Sequence, residues 1–246
     1  MDEAEHTINF INKSSFQRSN PKKKSLLNVG GKMDKKSILQ ALEKLKNESK
    51  KRNFSQSVDL VITLKDLNLK NNDEQVDFFI TLHHSIGQKQ TVCALVGGEL
   101  ADECQKICNE TITNFEEYKN NKKKAKTLAR KYDYFIAQGS LMAQVAGVFG
   151  RTFGPIGKMP NPKAGAVVVA KPQIKPLYEK LQKTIHVTAK KEPVVHVTVG
   201  KEDQDVEQVV DNILYLYDQL IHHLPKEKNN VNKVLLKLTM SKPVHL

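Results

Sequence analysis

Tryptophan is absent from this 246-residue chain, and aromatic residues make up only 6% of it, which argues against broad base-stacking platforms. No apolar run approaches the roughly 18 residues that a bilayer-spanning helix needs, so no membrane partner is expected. The opening Met1-Asp2-Glu3-Ala4-Glu5 is acidic and has no apolar core, against a secretory signal. Cysteine is scarce and odd in number, three residues, which reads as reduced thiols in a cytoplasm-like compartment. Carboxylates are also in short supply: 27 Asp and Glu face 39 Lys and Arg, a net charge of +12. That imbalance favours a polyanionic partner, nucleic acid before membrane. What remains, 39% hydrophobic and 27% charged residues, suits a soluble globular protein with one sizeable core or two modest ones.

The positive charge is spread along the chain. Residues 1–32 carry 6 Lys/Arg against 3 acids, residues 87–165 carry 12 against 7, and residues 33–86 with 166–246 carry 21 against 17. No single arm dominates, so specific surfaces must hold the cations. The densest run is Lys119-Asn120-Asn121-Lys122-Lys123-Lys124-Ala125-Lys126, extended by Arg130 and Lys131. It is either a solvated helix face or a non-specific phosphate anchor.

Three Gly and three Pro fall within Phe153 to Gly165 (Phe-Gly-Pro-Ile-Gly-Lys-Met-Pro-Asn-Pro-Lys-Ala-Gly), so no helix or central strand can run through it. It reads as a rigid, lysine-bearing crossing between structured parts. Residues 1–32 read as a basic flexible tail. A helix starts near Asp34, a plausible cap, with Ile38, Leu39, Leu42 and Leu45 as its apolar stripe. Val58 to Leu64 alternates as a strand, and Val76 to Leu82 reads as a second strand pairing antiparallel with it. Residues 87–165 change rhythm: strands at Thr91–Val96 and Tyr134–Ala137 alternate with helices at Glu99–Cys108, along the basic run, and at Ser140–Phe149 with Ser140 near the cap. That alternation implies a small parallel sheet. From Ala166 the earlier pattern returns, with strands at Val167–Val169, Ile185–Thr188, Val194–Val199 and Val234–Leu238 and helices at Ile174–Leu181 and Val206–Leu224. The fold class is α/β (α+β): residues 33–86 and 166–246 form a split two-layer domain, residues 87–165 an inserted three-layer domain, and Ile86, Gly87 and Gly165 mark the hinge.

Catalytic and cofactor patterns fail on inspection. Gly97-Gly98 lacks the spacing of a dinucleotide loop, and Gly157-Lys158 is followed by Met159 where a Walker loop needs Ser or Thr. Cys93, Cys104 and Cys108 do not supply paired zinc-ligand spacings. The pairs His83-His84 and His222-His223 point to different faces, and Ser140 has no base-and-acid partners. No enzyme activity, cofactor or metal is expected. A nucleotide- or metabolite-binding enzyme using the insert stays as the alternative, resting on fold alone.

Two segments have the character of RNA surfaces. In Lys50-Lys51-Arg52-Asn53-Phe54-Ser55-Gln56-Ser57, cations meet phosphates, Phe54 packs a ribose or base, and Ser57 reaches a 2′-hydroxyl; alternatively Phe54 is core and the cations are helix C-terminal partners. The second is Lys233 to Pro243, a strand ending in Thr-Met-Ser. Together with Gly154 to Gly165, the segments Arg52 to Ser57 and Leu238 to Pro243 resemble, in order, those of the large-subunit ribosomal protein L-one family, in wording of archaeal type. The resemblance covers roughly residues 33–246. It implies a split α/β domain with a Rossmann-like insert that binds large-subunit rRNA, forms the mobile side stalk among other ribosomal components, and helps release deacylated exit-site tRNA. It also implies repression of translation through binding of the chain's own mRNA. Carried over by position, it makes Phe54, Ser57, Thr239, Met240 and Ser241 the main rRNA contacts, flanked by Arg52, Asn53, Lys233 and Lys237. Lys122, Lys123, Lys124, Lys158 and Lys163 become secondary RNA or tRNA contacts. Two positions depart from the family: Ser241 stands where Gly is usual, so its Cβ is expected to crowd RNA, and Ile156 replaces the arginine of Gly-Pro-Arg-Gly.

Overall fold

The computed structural model describes residues 33–119, 121–168 and 174–246. The expected basic tail and Val169 of the expected strand lie outside these residues.

Apolar residues at helical spacing and at alternate positions build the first unit. Helix α1 (Lys35–Glu48) buries Ile38, Ala41, Leu42 and Leu45. Asp34 occupies the cap position, but its carbonyl rather than its side chain receives the first amides. Strand β1 (Ser57–Leu64) buries Val58, Leu60, Ile62 and Leu64, and β2 (Val76–Thr81) buries Val76, Phe78 and Ile80. The pairing expected between them does not form. Strand β1 is filled on both edges, by two strands from the far end of the chain, while β2 pairs with a third.

The inserted segment follows: β3 (Val92–Leu95), α2 (Gly98–Ile107), β4 (Glu110–Ile112), α3 (Glu116–Lys119), α4 (Lys122–Lys131), β5 (Tyr134–Gln138), α5 (Met142–Phe153), β6 (Val167–Val168) and α6 (Ile174–Lys183). Its strands form a parallel sheet in the order β4-β3-β5-β6. Val92, Ala94 and Ile136 face α2 and α6 through Leu100, Cys104, Ile174 and Leu181. Cys93, Leu95 and Phe135 face α4 and α5 through Leu128, Phe149 and Phe153. Coverage of both faces explains why these strands are apolar throughout rather than alternating. Burial and the nearby Glu110 charge push the Cys93 thiol up to about 12, which fits an inert core thiol. Ser140 caps nothing. It lies in a 3-10 turn, Gly139–Leu141, and α5 begins after it.

The chain then returns through β7 (Thr184–Ala189), β8 (Val194–Lys201), α7 (Val206–His223), β9 (Val231–Leu238) and a short β10 (Val244–His245) that the sequence did not suggest. The antiparallel sheet has the order β10-β9-β1-β8, and β2-β7 forms a separate ribbon. Val209, Val210, Ile213, Leu216 and Leu220 of α7 join α1 and both sheets in one core; each large apolar side chain so buried stabilises the fold by about 1.5–3 kcal/mol.

The pairing moves one expected boundary. Strand β6 hydrogen-bonds to β5, and α6 packs on the parallel sheet, so residues 166–168 and 174–183 lie with the insert. Gly165 is therefore no hinge between units: its φ of 75° closes the turn between Pro162 and β6, inside one sheet system. The second crossing is at Lys183–Thr184, where α6 runs straight into β7. Gly87, at a φ of 78°, remains at the first crossing, and a Cβ there would meet the Gln204 side chain at 2.8 Å. Ile86 beside it is anchored in the first core. The two crossings lie side by side, with the Leu82 amide donating to the Lys183 carbonyl at 2.9 Å.

Candidate nucleic-acid interface

The entry to β1 and the exit of β9 meet because their strands are neighbours in antiparallel register, with Val58 opposite Leu238. One step further, the Ser57 amide donates to Thr239 Oγ1 at 3.0 Å, and the Thr239 amide donates to the Ser57 carbonyl at 3.1 Å. Residues 182 positions apart in sequence thus close a two-stranded rim. Phe54 and Met240 project from it, 53% and 61% exposed, two of the three large apolar side chains that the described residues expose. The reading of Phe54 as a core residue is thereby set aside. Arg52, Asn53 and Thr239 are exposed, while Ser57 and Ser241 are partly buried.

A residue the sequence reading passed over holds this rim together. Gln56 is 1% exposed although it sits among cations and serines. Its Oε1 accepts the Met240 amide at 3.2 Å, its Nε2 donates to Glu202 Oε2 at 3.4 Å, and its carbonyl accepts the Glu202 amide at 2.9 Å. It ties β1, the turn after β8 and the C-terminal turn at one point. Losing a buried amide of this kind leaves its partners unpaired, at about 1–3 kcal/mol.

Ser241 turns its hydroxyl back onto the chain. Its Oγ accepts the Leu238 amide at 2.8 Å, and its own proton is within reach of the Lys242 carbonyl at 3.2 Å. The amide it satisfies belongs to the edge of β9 that faces β10, where β10 has already ended. The Ser241 hydroxyl thus completes a strand edge, while the residue also lines the groove beside Met240 and Lys242.

The open face of the antiparallel sheet continues from the rim. Strand alternation puts Ser57, Asp59, Val61 and Thr63 on the face opposite the core, with Lys237 opposite Asp59 and Lys233 opposite Thr63 in β9. Thr198 Oγ1 donates to Asp59 Oδ1 at 2.8 Å, and His196 Nε2 lies 3.5 Å from Asp59 Oδ2. Asp59 shares the face of Ser57 by alternation within β1, whereas Thr198 and His196 join it only through the β1-β8 pairing that the sequence did not show.

The insert's lysines do not join this rim. Lys122, Lys123 and Lys124 stand exposed on the first turn of α4, which Asn121 caps by accepting the Lys124 amide. Lys163 is exposed in the turn before Gly165. Lys158 is not a free cation: its Nζ donates to the Tyr132 carbonyl at 2.6 Å, just past the end of α4. It ties the Gly/Pro crossing to that helix end and is half-buried there, unlike the exposed Lys122, Lys123, Lys124 and Lys163. The crossing itself lines a cavity of about 270 Å3 against Phe79 and His186 of the β2-β7 ribbon.

In open parallel sheets, ligands enter where strand order reverses, outside the carboxyl ends of the strands. Here that point lies between β3 and β5, and it is filled. Gln138 Oε1 accepts the Gly97 amide at 3.0 Å, and a Cβ on Gly97 would meet Gln138 Oε1 at 3.2 Å and the Leu141 side chain at 3.5 Å. Among the described residues no group of three His, Cys, Asp or Glu side chains is placed to hold a metal ion, and no helix is long and apolar enough to cross a membrane.

Comparison with known proteins gives a consistent set of similarities. Residues 45–242 match the model of the ribosomal protein L1p/L10e family. The chain is 32% identical over 216 residues to the large ribosomal subunit protein uL1 of Thermococcus kodakarensis, covering 86% of this chain and 97% of that protein. Against the protein of the same name from Pyrococcus horikoshii it is 33% identical over 218 residues, 87% and 96% of the two chains. Against that of Methanocaldococcus jannaschii it is 32% identical over 214 residues, 86% and 95%.

Proposed function

The chain belongs to the ribosomal protein L1p/L10e family, and on that premise we propose that it docks large-subunit rRNA on the rim formed by Arg52–Ser57 and Thr239–Ser241. It is a structural protein of the large ribosomal subunit and not an enzyme. The observation that carries the docking reading is the convergence of exposed Phe54 and Met240 on a rim whose backbone is locked by Gln56, Ser57 and Thr239.

Each part has a physical role. Phe54 offers a face on which a base or ribose stacks, worth about 1–3 kcal/mol. Arg52, Lys233 and Lys237 contribute phosphate contacts whose strength falls with salt. Thr239 is already engaged with Ser57, so it presents a preorganised edge. A rim fixed before binding has little ordering cost, which leaves more of the contact energy for affinity. In this reading residues 33–86 and 184–246 grip rRNA, and the insert moves about the paired crossings at Ile86–Gly87 and Lys183–Thr184. The insert's exposed Lys122, Lys123, Lys124 and Lys163 face secondary RNA, exit-site tRNA among it, and assist its release. The same rim would take a similar structure in the chain's own mRNA and repress its translation. The alternative of an enzyme on the insert has its expected ligand point, between β3 and β5, bridged by Gln138 with Leu141 beside it.

The test is titration of the purified chain against its stalk rRNA fragment and a scrambled duplex over a salt series. The expected result is selective binding that weakens about 5- to 150-fold in Phe54→Ala and falls similarly in Thr239→Ala, with both variants folded. Equal affinity for the two RNAs would leave basic charge alone as the cause and end the docking reading.

A further inference from the structure

A second groove opens on the other side of the segment that carries Phe54. It has a volume of about 410 Å3 and is lined by Lys50, Arg52 and Lys242, by Leu45 and Met240, and by one carboxylate, Glu48. Glu48 lies 3.9 Å from Lys44, one turn back on α1. Among the described residues no ion pair involves Lys50, Arg52 or Lys242. The groove's neutral polar groups are engaged: Gln56 with Met240 and Glu202, Ser241 with Leu238. What it offers a ligand is therefore three cations against the one carboxylate of Glu48, and the exposed Met240.

Its size falls within the range of small-ligand sites, about 300–1,000 Å3. Its position is specific as well. Arg52 also lines the Phe54 groove, about 360 Å3, with Lys51, Asn53 and Ser55 and with the carboxylates Glu202 and Asp203, so Arg52 joins the two grooves. An RNA strand held against Phe54 would meet the second groove at Arg52. The cations select an anionic ligand, and the thioether of Met240 is soft, polarisable and suited to an aromatic face.

We propose that this second groove holds one unpaired nucleotide of the docked RNA, with its phosphate between Lys50 and Lys242 and its base against Met240. This rests on the docking reading above and extends the interface by two residues, Lys50 and Lys242, outside the rim.

The experiment uses the full chain, the doubly substituted Lys50→Ala/Lys242→Ala chain, the stalk rRNA fragment and a scrambled duplex. The variant should unfold at the wild-type midpoint, because both side chains are exposed. Its affinity for the stalk fragment should fall about ten- to a hundredfold, the effect of losing charge-assisted hydrogen bonds. The plot of log affinity against log salt should become shallower by about 0.7–0.9, the signature of one lost phosphate. Abasic substitution at each unpaired position in turn should reveal one position that weakens wild-type binding and has no effect in the variant. Unchanged affinity and slope in the variant, with the wild type still selective, would empty the groove and leave the docking rim standing. An equal loss on the scrambled duplex would reduce Lys50 and Lys242 to general steering charges and overturn the proposal. A wild-type chain that does not prefer the stalk fragment would overturn both readings together.

Discussion

The two main sheets of this molecule end their strands in opposite ways. At the carboxyl ends of the parallel sheet, Gln138 reaches across to the Gly97 amide and Leu141 fills the space beside it. At the rim of the antiparallel sheet the backbone is as well bonded, yet Phe54 and Met240 are left outside. Both places contain the small and polar residues from which sites are built. The difference is where apolar surface remains uncovered. The crevice turns its polar groups on one another, whereas the rim leaves two large apolar side chains in solvent, the surface on which the proposed docking rests.

Substitutions can break this contrast from either side. The largest effect should come from the insert's core. Phe149 is fully buried and stacks on Phe153 at 4.8 Å between centroids, so Phe149→Ala should destabilise the chain by about 3–5 kcal/mol. Denaturant unfolding measures that loss, and the folded fraction should bind RNA with unchanged affinity. The inverse pattern, in which Phe54→Ala loses affinity and keeps its unfolding midpoint, completes the contrast. Gln56→Ala should move both quantities, at about 1–3 kcal/mol of stability together with weaker RNA binding. A change in only one would show that the buried amide does not couple the rim to the fold. Ser241→Ala should cost less, about 0.5–1.5 kcal/mol, since it removes one acceptor from the Leu238 amide; faster amide exchange at Leu238 is the direct readout.

The smallest effect concerns pH. Burial pushes the Asp77 carboxyl up, but hydrogen bonds from Lys190 and His186, both at 2.6 Å, outweigh it and hold the group below its ordinary range. A carboxylate lowered on folding stabilises the chain above its unfolded value, and that contribution disappears as pH falls through the lower folded value. The ribbon should therefore lose stability only in acid. Asp77 is partly exposed, so the change should stay below about 1 kcal/mol. Comparing acid titrations of unfolding for wild type and Asp77→Asn isolates it.

Much of this arrangement was legible in the sequence, and the exceptions share a physical cause. Periodicity located the helices and most strands because it reports local burial, as in the stripe Ile38, Leu42, Leu45 or the alternation of β1. It could not report partners. Nothing local distinguishes a β1 that pairs with β2 from one that pairs with β8 and β9, because the choice is made by contacts more than a hundred residues away. The run Ala166 to Val168 misled for a related reason: a short apolar strand reads alike in either sheet, and only its hydrogen bonds to β5 assign it. Lys158 read as a surface cation because sequence does not show that a lysine is aimed at a carbonyl. Of the candidate rim, the sequence named residues that the structure exposes, Phe54 and Met240 among them, but not the residue that supports them. Gln56 lies among residues that face solvent, and neither its type nor its spacing marks it as buried.

The most direct test of the central contrast is a map of amide chemical shifts on the full-length chain as its stalk rRNA fragment is added. The account predicts that perturbation and exchange protection concentrate at residues 52–57 and 238–241, with the amides of Gly97 and Gln138 unmoved. Perturbation centred on Gly97 and Gln138, with Phe54 and Met240 silent, would contradict it and place the working surface on the insert.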